Sequence, residues 1–217
     1  VAGVQPQSET VWRQADRYRV PRLVFVNKMD RVGADFDAVI AMIRERLGAH
    51  AVAVQVPIGT AENFVGVVDI VERLAYYYDS DILGAKYRVE TEIPAPLKET
   101  VERTRERLIE AASEFDENLL RTYLEGQDPS PEAIRAAIRK GTIKSALFPV
   151  LCGAAFKNKG IQPLLDAVVD YLPAPNDLPA AKGVHPKTGV PQERYAHDKE
   201  MSALIFKIMN DPYVGDL

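Results

Sequence analysis

Apolar and polar positions change period several times along this chain, and each change marks an element. Leu23-Val24-Phe25-Val26 is a continuous apolar run that stops abruptly at Asn27-Lys28-Met29-Asp30. Pro21 just before the run argues against a helix. The pattern predicts a short strand covered on both faces, as in a parallel sheet, with polar groups projected from its carboxyl end. In open α/β sheets that edge is where ligands bind. Upstream, Val1 to Val4 reads as the tail of a strand, and Pro6 suits the first turn of a helix running to about Tyr18. Downstream, Asp35 is a good helix N-cap and Gly48 a stop, with Phe36, Val39, Ile40, Ile43 and Leu47 keeping helical spacing on one face.

From about residue 50 the period switches to two. Val52, Val54, Val56 and Ile58 alternate, as do Tyr87, Val89, Thr91 and Ile93 against Arg88, Glu90 and Glu92. Both read as antiparallel strands with a solvated side, and Phe64 to Val71 and Leu74 to Tyr78 are further strands. Helical spacing returns at Leu97, Val101, Thr104, Leu108 and Ala112, then at Phe115, Leu119 and Tyr123. A third helix starts at Ser130 with Pro131 in its first position. Ser145 to Leu151 is apolar again and leads into Gly153-Ala154-Ala155; Ile161, Leu165, Val168 and Leu172 form the stripe of a closing helix. Prolines 173, 175, 179, 186 and 191, with Gly183 and Gly189, predict an extended, semi-rigid linker. Met201 to Met209 reads as a strand and Asn210-Asp211-Pro212 with Gly215 as a turn.

Asn27-Lys28-Met29-Asp30 fits the Asn-Lys-x-Asp motif with which GTPases read guanine, and the chemistry follows from the side chains. An ionised Asp30 accepts two parallel hydrogen bonds, from the ring N–H and the exocyclic amino group of guanine. Adenine offers no donors in that arrangement, so the carboxylate would stay unpaired. Asn27 carries a donor and an acceptor, suited to the other base edge and to tying loops together, and the Lys28 stem can lie along the base. On its three fixed letters the motif fits equally well a strand ending in ordinary surface polar residues.

The surrounding residues extend the pattern. Gly3-Val4-Gln5-Pro6-Gln7-Ser8-Glu9-Thr10-Val11-Trp12-Arg13-Gln14-Ala15, Asn27 to Arg31, Gly33-Ala34-Asp35-Phe36 and Cys152-Gly153-Ala154-Ala155-Phe156-Lys157-Asn158-Lys159-Gly160 resemble the bacterial elongation factor G family of translational GTPases. The resemblance runs the length of the chain but covers only an interior piece of such a protein. It implies an α/β fold: the C-terminal part of a P-loop GTPase domain with an inserted α+β subdomain, followed by the first strand of a β-barrel domain. Residues 1–49 and 144–172 would be parts of the GTPase domain and 50–143 the insertion, with 173–200 a linker and 201–217 the start of the barrel. About 120 residues separate the two guanine loops, where a minimal nucleotide-binding fold needs only a helix and a strand.

The implied guanine-binding residues are Asn27, Lys28, Asp30, Gly153, Ala154 and Ala155. The family's second loop is usually Gly-Ser-Ala, whose Ser hydroxyl steadies the Asp carboxylate. Ala154 takes that position here, so the backbone contact survives while the hydroxyl is lost, and affinity falls or water replaces it. Read without the resemblance, Gly-Ala-Ala is a tight strand-to-helix turn. The resemblance also implies GTP and GDP as ligands, Mg2+ held by residues outside this chain, and the ribosome as partner. The insertion would meet the ribosomal stalk protein. Nothing in these residues performs phosphoryl transfer: no Gly-x-x-x-x-Gly-Lys-Ser/Thr loop occurs, nor the family's Asp-x-x-Gly switch with the histidine that follows it, so no catalytic and no metal-binding residue is assigned. The alternative is an interaction module that kept the fold without hydrolysis.

Composition changes the picture little. With 217 residues, 47% hydrophobic and 27% charged, the chain fits one large domain or a domain with an insertion. A net charge of −4 gives no general attraction to RNA. The single cysteine, Cys152, forbids an internal disulfide and agrees with a reducing cytosol. No apolar stretch reaches membrane-spanning length and no signal peptide is visible, so a cytoplasmic monomer is expected. His50, His185 and His197 sit outside recognisable motifs; Tyr76-Tyr77-Tyr78 fits strand packing better than base stacking, and the charges from Glu99 to Glu125 read as a solvated helix face.

Overall fold

The computed structural model describes residues 2–79, 86–185, 187–201, 203, 210–211 and 215–216. It divides into two units, one ending at Leu172 and one beginning at Pro173. In the first unit, α1 (Pro6–Arg17), β1 (Val24–Val26), α2 (Phe36–Leu47), β2 (Ala51–Ala53), β7 (Phe148–Cys152) and α6 (Ile161–Tyr171) surround a three-stranded sheet of order β1-β7-β2. Both pairings are parallel, with Val26 opposite Cys152 and Ala53 opposite Val150. Between β2 and β7 the chain builds a four-stranded antiparallel sheet in sequence order: β3 (Gln55–Ile58), β4 (Gly66–Asp69), β5 (Leu74–Tyr78) and β6 (Tyr87–Glu90). Helices α3 (Lys98–Ser113), α4 (Glu117–Leu124) and α5 (Pro131–Ile143) follow.

Local chemistry sets most helix ends. The Asp35 carboxylate accepts from the Ala38 amide at 2.9 Å, and Gly48 closes α2 in the left-handed conformation at φ 61°. Asp116 accepts from the amides of Asn118 and Leu119 at the start of α4, and Ser130 caps α5 ahead of Pro131. A hydrogen bond from Lys140 holds the Asp116 carboxyl below its usual range.

Four expectations are corrected by packing. Residues 2–5 form no strand; Val4 is buried and its carbonyl accepts from Arg46 at 3.1 Å. The alternation from Val52 to Ile58 is two strands in two sheets: β2 runs parallel to β7, the Val54 amide still donates to Val150, and only β3 turns antiparallel. The buried face of α6 is Pro163, Ala167 and Tyr171, while Leu165 is 60% and Val168 42% exposed. Eight of its eleven positions are apolar, with only the stripe Gln162, Asp166 and Asp170 polar, so the period leaves a wide apolar arc and does not fix which part of it is buried. Arg139 of α5 then grips its end, donating to the carbonyls of Val169, Asp170 and Leu172.

The fourth is Arg105, which is only 3% exposed on the helix read as solvated. Its guanidinium donates to the carbonyls of Ile70 and Val71 at 2.9 Å and of Pro129 at 3.2 Å, and to Asp128 at 3.0 Å. Glu99, Glu102, Arg103, Glu106 and Arg107 on the same helix are exposed. The tyrosines pack within their sheet: Tyr76 and Tyr78 lie 6.0 and 5.9 Å from the Tyr87 ring, and Arg88 lies over Tyr77.

Asp69 closes the turn after β4 by accepting from the Glu72 amide at 2.8 Å. Burial pushes its carboxyl up to about 6. A carboxylate in water titrates near 4, so the folded state holds the proton more tightly than the unfolded state. Stability contributed by this group is therefore greatest at low pH and falls as pH rises from about 4 to 6. Asp69→Asn keeps the acceptor and removes the charge. It should be more stable than wild type above pH 6 by about 1–3 kcal/mol and lose that part of the pH slope. Urea denaturation at pH 5 and 7.5 reads both; an unchanged slope would refute the assignment.

In the second unit, β8 (Ala181–Val184) pairs antiparallel with β9 (Pro191–Arg194). The segment expected as an extended linker thus contains a hairpin. His185 closes its turn, Nδ1 accepting from the amides of Lys187 and Thr188, and Gly189 supplies a φ of 68°. Two-residue strands β10 (Asn210–Asp211) and β11 (Gly215–Asp216) pair antiparallel. The strand expected over 201–209 falls almost wholly outside the described residues, as does Pro212.

Candidate functional site

The carboxyl ends of β1 and β7 lie side by side because these strands are parallel neighbours in register. The two loops leaving them are then tied together by three bonds. Gly153 donates to Val26 and accepts from Met29, both at 3.0 Å, and the Asn27 Oδ1 accepts from the Ala155 amide at 3.0 Å. The same oxygen accepts from Lys28 at 2.8 Å. That bond helps hold Lys28 in the left-handed region at φ 65°, a strained conformation for a side chain with a Cβ. The expected residues Asn27, Lys28, Asp30, Gly153, Ala154 and Ala155 are thus brought into one place from two segments far apart in sequence.

Gly153 is required by space: a Cβ there would collide with the Lys159 carbonyl and lie 2.7 Å from the Phe25 ring. Gly160, at φ 83°, backs against the Cys152 carbonyl. Between them Ala154 and Lys159 form a small bridge, with N–O distances of 2.9 and 3.2 Å. Ala154 is 2% exposed, so its amide is committed to the turn and its side chain to the core. Cys152 is wholly buried beneath the loop, and burial pushes its thiol up, away from reactivity.

Asp30 forms an ion pair with Lys157 at 2.9 Å. The hydrogen bond from Lys157, reinforced by its charge, holds the Asp30 carboxyl below its usual range and ionised. The pair uses one carboxylate oxygen, Oδ2, leaving Oδ1 and the second lone pair of Oδ2 to accept. Phe156 beside it is 95% exposed, an unusual place for a phenyl ring. Sequence reasoning took only the backbone from this loop and passed over Phe156 and Lys157. Their signal was an aromatic and a cation next to the turn that faces Asp30. A cavity of about 420 Å³ adjoins Asn27 and Lys28 but is lined mainly by Val4, Trp12, Val24, Val26, Val39 and Ile43, and does not include Asp30 or the second loop. Among the described residues no group of three or more His, Cys, Asp or Glu is placed to hold a metal ion. None of the described helices is long and apolar enough to cross a membrane.

The sequence matches the family model for the elongation factor Tu GTP-binding domain over residues 1–174. The chain belongs to the elongation factor Tu GTP-binding domain family. Its fold is also similar to the crystal structure of a protein from Thermus thermophilus, at 30% identity and a TM-score of 0.76. That match covers 99% of this chain and 29% of the other, so the chain spans under a third of that protein's length. Membership in this GTP-binding family accounts for the parallel sheet, its flanking helices and two polar loops at one sheet edge.

Proposed function

We propose that this chain is the guanine-recognising part of a translational GTPase of the elongation factor G type. The whole protein would hydrolyse GTP on the ribosome in the cytoplasm and drive movement of transfer and messenger RNA. The observation that carries this reading is the bond donated by the Ala155 amide to Asn27 Oδ1, which ties the two loops together and leaves an ionised Asp30 beside the second one. Asp30 accepts from the ring N–H and amino group of guanine, while the Asn27 side-chain NH2 serves the opposite base edge and the Gly153–Ala155 turn, its amides bonded to Val26, Lys159 and Asn27, holds that side chain in place. Lys28 and Phe156 supply the apolar stem and ring for the base faces. Lys157 takes over the steadying of Asp30 that a hydroxyl at position 154 would give.

Phosphoryl transfer and the Mg2+ that assists it belong, in this reading, to residues outside this chain. The antiparallel sheet with α3 to α5 is the insertion that meets the ribosomal stalk, and residues from about 201 open the barrel. Its candidate contact surface is the exposed row Glu99, Glu102, Arg103, Glu106 and Arg107, whose mixed charge suits brief, salt-sensitive contact. Reversing these charges in the full-length protein should slow stalk-dependent GTP turnover and leave GTP affinity unchanged. Phosphate release with and without the stalk, beside calorimetric GTP titration, tests it. Unchanged turnover refutes the surface; no GTP binding by wild type refutes the whole reading.

A further inference from the structure

Lys159 is 5% exposed, and burial lowers its pKa because the ammonium gives up water. Its Nζ donates to the backbone carbonyl of Phe64 at 2.9 Å, and Phe64 itself is 1% exposed. Phe64 lies in the loop, residues 59–65, that joins β3 to β4. The same loop sends a second bond toward β1: the Ala61 amide donates to the Met29 carbonyl at 2.9 Å. One short loop therefore holds both segments of the candidate site. It reaches Met29, next to Asp30, and through Lys159 it reaches Ala154, with which Lys159 exchanges two backbone bonds. An apolar side chain would fill the space under the loop at lower desolvation cost, but could not bond the carbonyl.

We infer that Lys159 is a positioning residue for guanine recognition, locking the second loop to the β3–β4 loop so that this loop sets how long the nucleotide stays. The inference rests on the guanine-binding reading above. Recognition by groups from two segments works only while their relative placement holds to about 0.5 Å, and a common bracket supplies that placement. Loosening the bracket should speed nucleotide release without touching the nucleotide.

The test uses the full-length protein and a fluorescent GDP analogue chased with unlabelled GDP in stopped flow, beside thermal unfolding. Lys159→Met keeps the length and loses the donor; release should quicken about tenfold, as expected for one charge-assisted bond, with Lys159→Arg in between. Gly59→Ala attacks the other end of the bracket: Gly59 has φ 77°, and its Cβ would collide with the Asn63 carbonyl. It should quicken release comparably with Lys159 in place, and it decides the question if Lys159→Met fails to fold. Arg105→Ala, which loosens the insertion away from this loop, should lower thermal stability and leave release unchanged. Wild-type release rates in both Lys159→Met and Gly59→Ala, or equal acceleration in Arg105→Ala, overturn the bracket alone. A wild-type protein that does not bind the analogue overturns the guanine reading, and the bracket with it.

Discussion

In the full-length protein, Asp30→Asn is expected to lower GTP affinity by two orders of magnitude or more and to place xanthosine triphosphate ahead of GTP. The substitution exchanges one carboxylate oxygen for an NH2 donor, which would oppose guanine's amino group and suit the carbonyl of xanthine. Losing a charge-assisted bond and leaving a facing donor unpaired together cost about 3 kcal/mol or more, roughly a hundredfold in affinity. Lys157 loses its partner at the same time, but its side chain is 47% exposed, so that loss adds little to stability. Calorimetric titration of both proteins with both nucleotides measures the ranking. An unchanged order would show that Asp30 does not read the base edge.

Arg105→Ala should cost about 3–4 kcal/mol of stability. Its side chain is 4% exposed, and its removal strips donors from three backbone carbonyls and from Asp128. Burial alone would push the Asp128 carboxyl up, but the bonds and charges of Arg105 and Arg73 outweigh it and hold the group below its usual range. Arg105→Ala therefore also releases that carboxylate toward ordinary behaviour. At this chain length the loss corresponds to a fall in Tm of about 6–15 °C. Arg107→Ala, two positions along on the exposed side of α3, should stay within about 0.5 kcal/mol of wild type. Thermal unfolding of the two variants decides it, and matching melting points would mean that Arg105 is not the fastener its contacts describe.

Elements with strong local signals were legible in the sequence. Asp35, Ser130 with Pro131, and Gly48 act through bonds and backbone conformations that span a few residues, so their letters suffice. The apolar run at Leu23 to Val26 and its abrupt polar end likewise marked β1 and the loop carrying Asn27 and Asp30. The sequence by itself also determined which residue types stand at that loop, and hence the donors and acceptors it can present.

What only the tertiary structure decided is non-local. Period two from Val52 to Ile58 records alternating burial, but the switch from β2 to β3 depends on β7, nearly a hundred residues on, which takes Ala53 as a partner. The stripe on α6 was ambiguous because everything outside Gln162, Asp166 and Asp170 is apolar; the neighbouring core took the part of that arc with Ala167. Arg105 looked like its charged neighbours until three carbonyls converged on it from the end of β4 and from the start of α5. The Asp30–Lys157 pair and the Lys159–Phe64 bond belong to the same class. A side chain's partner across 95 or more residues is set by how strands stack into sheets, and no local period encodes that distance.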